Sequence, residues 1–485
     1  MSACAGDGLS GRALLAGMAG FGAAALTLRA RGAGAGAMAS GGSERRLALV
    51  ASEREAVLLG PGRPASRVWS FGEEFLPVVR MRRGERLVAS LENRLAEHTT
   101  IHWHGVRVPN AQDGVPYVTQ PPVEPGQSFT YDFVPPDTGT FFFHPHCNTI
   151  VQLGRGLAGV LVVEGDETRP YDADLVLALK DWRLAEDGGW LPFTSPAAAA
   201  RAGTFGTVRT VNAQIAPRIP VPAGGDIRLR ILNLDPTRIG QLGIESAEAA
   251  VVAIDGMGLS PFPLDTWRLG PAMRIDVVIR APAPGETATL VDYFAPEPVT
   301  LATLVGAGQP PARRRKGFDP APLLRNDLPV PEVKSAEKLR FAFASASGGL
   351  ARIAAEGDAL ATALLDSLCT AEVTNWSINK RSWASRDHAN LPAPLAELAV
   401  GLSYVAELSN ETPHPHPIHM HGMMFRVLGS STRKLPDCYC DTVLLTPKER
   451  LTIAFRPDAP GDWMFHCHLI EHQETGMMGF LRVRG

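Results

Sequence analysis

The sequence has little cysteine and little charge, and it lacks a long apolar run. Its 485 residues include six cysteines, too few for a scaffold built on disulfides. Charged residues make up 20% and the formal net charge is −3, so neither nucleic acid nor an anionic membrane surface is an expected partner. A weakly apolar stretch near the start, residues 13–28, is shorter than the about 20 residues that a membrane-spanning helix needs.

The first 39 residues have the order of an export signal. Arg12 precedes the apolar stretch, and Ala37-Met38-Ala39 provides a small-x-small cleavage site. A membrane anchor is the alternative interpretation. Gly11 stands where a twin-arginine signal would carry its first arginine, so the export route stays open. We predict a mature protein that begins near Ser40 and acts in the periplasm or elsewhere outside the cytoplasm.

Histidine is scarce as well, but it is concentrated in four short clusters. Side chains two residues apart on an extended strand point to the same face, so each His-x-His pair can present two imidazoles to one site. A lone histidine is usually a core or surface residue, whereas clusters of this kind predict a metal centre. Ten of the 13 histidines belong to them: His102, His104, His144, His146, His416, His419, His421, His466, His468 and His472.

The C-terminal cluster adds a soft sulfur ligand. Cys467 lies between His466 and His468, and Met477 follows nine residues after His468. Two imidazoles, one thiolate and a weak thioether are typical ligands of a blue copper site. Because side chains alternate along a strand, Cys467 faces away from its two neighbours. One strand can therefore serve two copper sites, and its peptide bonds form a short path for electrons between them.

With these four motifs the chain after about residue 45 resembles the multicopper oxidases, which include laccases, bilirubin oxidases and bacterial copper-resistance oxidases. The resemblance implies four copper ions: one of type 1, one of type 2 and a type 3 pair. The type 1 ligands would be His416, Cys467 and His472, with Met477 as the axial ligand. The type 2 ligands would be His102 and His419. The type 3 pair would take His104, His144, His146, His421, His466 and His468.

Short alternating segments between turns predict an all-β chain. The 40 prolines and 48 glycines favour many turns, and residues 86–93 alternate as a half-buried strand does. Residues 226–233 echo that strand and indicate an internal repeat. The resemblance implies three consecutive cupredoxin-like β-sandwich domains with Greek-key connections, at 45–165, 166–325 and 326–485. The middle one contains no histidine.

Two stretches depart from this pattern, and four cysteines are left unassigned. Residues 350–369 have helical character, and residues 306–331, with the basic run 313–316, are typical of an exposed linker. In an oxidising compartment one or two disulfides are compatible with the remaining cysteines, but the pairing stays open. A small metal site at the Cys-x-Cys pair is a weaker alternative. These cysteines, besides Cys4 of the leader, are Cys147, Cys369, Cys438 and Cys440.

The resemblance implies one-electron oxidation of a small reducing substrate at the type 1 copper. Electrons would pass through Cys467 to the trinuclear cluster, where dioxygen is reduced to water. We expect a monomer that needs no partner besides its substrate and dioxygen. Asp113 matches an acidic position that the family uses near the cluster. The family often has an acid after the last histidine of the C-terminal motif, where this chain has Gln473 followed by Glu474. Asp113 and Glu474 are therefore the candidate proton carriers.

The substrate class is indicated by one further position. In metal-oxidising members an acid often lies four residues before the first type 1 histidine, whereas this chain has Thr412 there and Glu411 one residue earlier. A methionine-rich insertion is also missing. We therefore expect a laccase-like oxidase of phenols and aromatic amines. Oxidation of Cu(I) or Fe(II) is the alternative, and a copper-free scaffold protein is a remote third.

Overall fold

The computed structural model describes residues 43–310, 317–346, 375–383 and 390–485. In these residues strands dominate, with three short α-helices, so the all-β prediction is confirmed. None of their helices is long and apolar enough to cross a membrane. The predicted export signal, the basic run 313–316, the helix at 350–369 and Cys369 all lie outside the described residues.

The first two sheets are built from the strands between Glu44 and Glu164. They are β1 (Glu44–Ala56), β2 (Ser66–Ser70), β3 (Val78–Arg82), β4 (Arg86–Asn93), β5 (His102–His104), β6 (Ser128–Phe133), β7 (Gly139–His144) and β8 (Gly159–Glu164). The strand orders are β2-β1-β4-β6 and β3-β8-β7-β5. Strands β5 and β7 are buried along their whole length, and they carry His102, His104 and His144 among mostly apolar neighbours.

The next two sheets lie between Ala173 and Ala307. Their strands are β9 (Ala173–Trp182), β10 (Val208–Val211), β11 (Arg218–Pro222), β12 (Asp226–Asn233), β13 (Gly240–Glu245), β14 (Ala249–Ile254), β15 (Met257–Pro263), β16 (Trp267–Leu269), β17 (Arg274–Arg280), β18 (Thr287–Asp292) and β19 (Val299–Ala307). The orders are β10-β9-β12-β17-β14-β15 and β11-β19-β18-β13-β16.

The last two sheets lie between Glu337 and Arg484. Their strands are β20 (Glu337–Ser345), β21 (Trp376–Ile378), β22 (Ala396–Ala399), β23 (Tyr404–Asn410), β24 (His416–Met420), β25 (Phe425–Ser430), β26 (Tyr439–Cys440), β27 (Thr442–Leu445), β28 (Arg450–Phe455), β29 (Gly461–Cys467) and β30 (Met478–Arg484). The orders are β21-β20-β23-β28-β25-β26 and β22-β30-β29-β24-β27.

One strand arrangement recurs in all three pairs of sheets. β1 pairs in parallel with β4, β9 with β12, and β20 with β23. β4, β12 and β23 then pair antiparallel with β6, β17 and β28. The echo between the sequences of β4 and β12 thus reflects equivalent places in the fold. The division into three domains stays a prediction, which this recurrence supports.

The described residues contain three short α-helices. They are α1 (Thr149–Gly154), α2 (Pro196–Ala199) and α3 (Ile470–Glu474). Ser195 caps α2 by accepting a hydrogen bond from the Ala198 N–H, and Pro196 begins that helix, where its missing N–H costs nothing. α1 follows β7 and α3 follows β29, so both begin where a histidine pair ends.

The structure describes part of the predicted linker, 306–331, and three of the four unassigned cysteines. Described residues of the linker are mostly exposed, but Leu323 is buried against Val252 and Val278. The described cysteines are all free, so no disulfide forms among Cys147, Cys438 and Cys440. The latter two belong to the apolar core, where free cysteine behaves as a small hydrophobic residue.

Candidate metal centre

Three donor side chains converge at the start of α3 and form the Cys467 site, which consists of His416, Cys467 and His472. His416 begins β24, Cys467 ends β29 and His472 lies within α3. The two histidine Nδ1 atoms are 3.0 Å apart and lie 3.7 and 3.8 Å from Cys467 Sγ. All three side chains are fully buried. The structure therefore brings together the three residues that the sequence proposed for one site.

Hydrogen bonds on the far side of each ring decide which nitrogen faces this site. His416 Nε2 donates to Thr412 Oγ1 at 2.8 Å, and His472 Nε2 donates to the carbonyl oxygen of Arg201 at 2.7 Å. Burial lowers the pKa of His416 well below its usual value and that of His472 to about 3, so both rings are neutral. Both Nδ1 atoms then carry lone pairs that face each other. Such an arrangement fits a cation between them.

Met477 lies next to the Cys467 site through its backbone. Met477 is fully buried, its carbonyl oxygen accepts the Cys467 N–H at 3.0 Å, and its own N–H donates to His472 O at 2.8 Å. The Leu469 N–H points at Cys467 Sγ from 3.4 Å. Burial raises the pKa of the Cys467 thiol, so its thiolate form requires a nearby positive charge.

The remaining eight histidines of the four clusters gather behind Cys467 and form the eight-histidine site. All eight side chains are buried. Strand pairing sets the histidines of each half side by side, because β5 is in register with β7 and β24 with β29. Rings from the two halves then stack at 3.8 and 3.7 Å between centroids. The members are His102, His104, His144, His146, His419, His421, His466 and His468.

Ring nitrogens face one another in the eight-histidine site as well. His421 Nε2 lies 3.0 Å from His466 Nε2, and His144 Nε2 lies 3.4 Å from His468 Nε2. His421 Nδ1 donates to Asp113 Oδ2 at 2.8 Å, and His466 Nδ1 donates to Cys467 O at 3.0 Å. These bonds leave Nε2 of both rings unprotonated, so two lone pairs converge here too.

Other ring nitrogens in this site have no hydrogen-bond partner among the described residues. A buried polar atom normally has one, and a neutral imidazole is the form that binds metal. Burial lowers the pKa of His104, His146 and His468 well below the usual value. Imidazoles with one thiolate and a thioether suit copper, so the donor set fits the expected ions. The unpartnered atoms are His102 Nε2, His104 Nδ1, His419 Nε2, His468 Nδ1 and both ring nitrogens of His146.

The two candidate proton carriers, Asp113 and Glu474, lie in different surroundings, and so does Gln473. Asp113 is fully buried and touches His421 and also His102, whose Nδ1 lies 3.3 Å from Asp113 Oδ1. Gln473 is buried, and its side-chain amide has no partner among the described residues. Glu474 is half-buried, and its carboxylate accepts the N–H of Ile150 in α1 at 2.8 Å. Its role as a proton carrier stays a prediction.

The middle segment covers one side of the Cys467 site. Glu471 of α3 is buried and accepts hydrogen bonds from the hydroxyls of Thr194 at 2.5 Å and Thr204 at 2.7 Å. These contacts hold residues 194–204, including α2 and the Arg201 carbonyl, against α3. Trp376 packs on His472 with 4.2 Å between ring centroids. The particular residues that form this wall were not identified from the sequence.

Four further residues at the eight-histidine site were missed by the sequence reasoning. Asp441 and Thr442 both contact His104 Nε2, at 3.0 and 3.2 Å. Arg274 and Asp255 of the middle segment bind Asp441 and the Thr442 backbone. The available signal was the arginine that begins β17, but an arginine in a strand does not predict its partner.

Comparisons with known proteins agree with this geometry. Residues 56–168 and 367–485 each match a family model described as multicopper oxidase. The crystal structure of a multicopper oxidase from Pseudomonas thermotolerans is similar over 92% of this chain and 100% of that chain, at 37% identity and a TM-score of 0.80. Multicopper oxidase MmcO of Mycobacterium tuberculosis is 29% identical, covering 83% of this chain and 80% of that protein. A laccase of Cryphonectria parasitica is 28% identical, covering 83% and 75%.

Proposed function

Because this chain belongs to the multicopper oxidases, we propose that it is a laccase-like enzyme that oxidises phenols and aromatic amines and reduces dioxygen to water. The proposal includes four copper ions, export from the cytoplasm and a monomeric state. The buried donor set disfavours a copper-free scaffold, since unpaired buried nitrogens would then lower stability without serving a purpose.

The proposed copper ligands follow the two sites. His416, Cys467, His472 and Met477 would hold the type 1 ion. His102 and His419 would hold the type 2 ion, and the other six histidines of the eight-histidine site the type 3 pair. When bound, the copper ions supply one-electron oxidation of the substrate and four-electron reduction of dioxygen.

The protein orients the two neutral histidines of the Cys467 site and connects that site to the eight-histidine site by covalent bonds. Thr412 and the Arg201 carbonyl orient His416 and His472 so that each presents Nδ1. Cys467 is joined by single peptide bonds to His466 and His468, whose rings point into the eight-histidine site. Full burial of these residues keeps water away from the covalent route between the two sites.

The choice of substrate class rests on Thr412. A hydroxyl, not a carboxylate, hydrogen-bonds the outer nitrogen of His416, at 2.8 Å. A cationic substrate such as Cu(I) or Fe(II) gains no electrostatic attraction from a hydroxyl. A neutral phenol does not need that attraction.

Oxygen consumption with three reductants tests this proposal. Copper-loaded protein is given a dimethoxyphenol, Cu(I) and Fe(II) in turn, and we expect kcat/KM for the phenol to exceed the others by about tenfold or more, the gap that 1.4 kcal/mol produces. Faster turnover of either metal ion would contradict the substrate class. If no oxygen is consumed with any of the three reductants, the proposal that the protein is an oxidase would be contradicted.

Paired variants at position 412 sharpen the comparison. Thr412→Asp adds the missing carboxylate and should raise metal-ion turnover relative to phenol turnover. Thr412→Asn has nearly the same size without the charge, and it should leave that ratio unchanged. Equal ratios in both variants would show that the charge at this position does not select the substrate.

A further inference from the structure

Asp441 contacts two histidines of the eight-histidine site through different atoms. Its carboxylate Oδ1 accepts a hydrogen bond from His104 Nε2 at 3.0 Å. Its backbone carbonyl oxygen accepts a hydrogen bond from His419 Nδ1 at 3.0 Å. The hydroxyl of Thr442 lies 3.2 Å from the first of these nitrogens and 3.1 Å from the second. One dipeptide at the start of β27 therefore holds both rings.

These contacts give the two rings opposite tautomers. His104 is protonated at Nε2 and leaves Nδ1 free, whereas His419 is protonated at Nδ1 and leaves Nε2 free. The two free nitrogens are among the buried atoms without a partner in the described residues. The rings stack at 3.7 Å with 19° between their planes. A partner on the outer nitrogen of a histidine is what fixes its orientation toward a metal.

Arg274 of the middle segment immobilises the Asp441 side chain. Its Nη1 and Nη2 donate to the two carboxylate oxygens at 2.9 and 2.6 Å, a bidentate pair. The rest of the guanidinium donates to the carbonyl oxygens of Thr140, Ala272 and Asp255. Arg274 is fully buried. Every direction around the guanidinium is used, so the pair has no alternative arrangement.

Two neighbouring residues fit around this pair. Asp255 accepts the Arg274 N–H at 2.9 Å and the Thr442 N–H at 3.0 Å, which ties β17 to β27. Gly105 follows His104 directly, and a Cβ placed on it would lie 2.5 Å from both Arg274 Nη2 and Asp441 Oδ2. The chain next to His104 is thus shaped to admit the ion pair.

We propose that Arg274 is a positioning residue for the copper cluster, which it serves by holding Asp441 so that His104 and His419 present their free nitrogens. The inference rests on the proposed function, since it concerns how that function's ligands are held. It gives the middle segment, which has no histidine, a direct part in the cluster. The guanidinium hydrogen bonds of Arg274 go to Asp441 and to backbone carbonyls, so it acts on the orientation of the predicted ligands through Asp441.

Arg228 provides a matched control for the loss of a buried arginine. It is also fully buried in the middle segment, on the neighbouring strand β12, and it pairs with Asp166 and Asp276 instead of Asp441. Arg274→Met and Arg228→Met each remove one buried cation from the same sheet. Both should lower the thermal stability of the copper-free protein, but only the first should affect copper at the cluster.

The experiment measures copper per chain, chelator competition, the electron paramagnetic resonance of type 2 copper and the blue absorption. For Arg274→Met we expect an intact blue band, a changed type 2 resonance and cluster affinity lowered by about 10- to 100-fold, the usual effect of losing such an outer partner. For Arg228→Met we expect wild-type values. Asp441→Asn, which keeps the shape of the side chain, should reproduce the Arg274→Met result and replaces it if that variant does not fold.

Several outcomes would overturn the inference. Wild-type cluster affinity and type 2 resonance in Arg274→Met, or in Asp441→Asn, would do so. If Arg228→Met loses as much cluster copper as Arg274→Met, then Arg274 only stabilises the fold and has no specific role at the cluster. A wild-type protein that binds no copper contradicts the proposed function first. If the wild-type protein binds its full set of copper ions and Arg274→Met does the same with an unchanged type 2 resonance, this inference is contradicted and the proposed function is not.

Discussion

Asp113→Asn should slow the reaction with dioxygen and spare the oxidation of substrate. Asp113 is buried in the eight-histidine site, where its Oδ2 accepts the His421 Nδ1–H at 2.8 Å. An asparagine oxygen can accept the same hydrogen bond, so the ring keeps its orientation. An amide, however, neither takes up nor releases a proton at working pH. The variant therefore separates proton transfer from ligand positioning.

The expected magnitude follows from that separation. Reduction of dioxygen to water consumes protons in a site from which solvent is excluded, and one positioned acid or base is typically worth about 10²–10⁴ in rate. This corresponds to about 3–5 kcal/mol in the activation barrier. The Cys467 site does not contact Asp113, so the blue absorption and the rate of its bleaching by substrate should stay near wild type.

Stopped-flow mixing of reduced protein with dioxygen measures the effect. Asp137→Asn is the matched control, because Asp137 is an equally buried acid of the same segment that pairs with Arg107 at 2.7 Å instead of with a histidine. It should reoxidise at the wild-type rate. Gln473→Glu adds a carboxyl group within α3 and should speed reoxidation. If Asp113→Asn reoxidises as fast as the parent with unchanged copper content, the reasoning is refuted.

Three further predictions concern the axial ligand, acid stability and export. Met477→Leu should keep the blue colour and raise the reduction potential, because it removes a weak donor; an unchanged or lower potential in a redox titration would direct attention to Met478. Copper-free protein should lose stability as pH falls below about 6.5, since its buried histidines are neutral when folded and bind protons only on unfolding, each adding up to about 1.4 kcal/mol per pH unit. Urea unfolding at several pH values checks this, and a stability that does not fall with pH would contradict it. N-terminal sequencing of protein from its native source should begin near Ser40, and an intact Met1 in the cytosol would contradict export.

The copper-binding part of the site was predictable because its pattern is local. Spacing of two residues on a strand fixes which side chains share a face, and soft donors in that spacing have few other uses. The sequence therefore predicted that Cys467 and its neighbouring histidines face different sites, and the structure places them so. Strand pairing between β5 and β7, and between β24 and β29, then brings histidines of different clusters side by side.

The supporting residues were not predictable, since they depend on contacts between distant parts of the chain. Arg274 and Asp441 are 167 positions apart and share no local pattern.

The burial of charged residues in strand β12 was also not predictable from the sequence. Its alternation resembles that of β4, where Arg86 and Ser90 are exposed, yet Arg228 and Arg230 are fully buried. They are covered because carboxylates from neighbouring elements, Asp166 and Asp276 among them, pair with these arginines. Periodicity alone cannot distinguish a face covered by solvent from one covered by matching charges.

Counting copper ions in wild-type protein and in Cys467→Ser tests the central claim most directly. Cys467 is the only cysteine flanked by two histidines in the sequence, and its Sγ lies 3.7 and 3.8 Å from the two histidines of its site. We predict four copper ions and a blue absorption in the wild type, and three ions without the blue absorption in the variant, with the type 2 resonance retained. An intense blue band that persists in Cys467→Ser, or a copper content that does not change, would contradict the account.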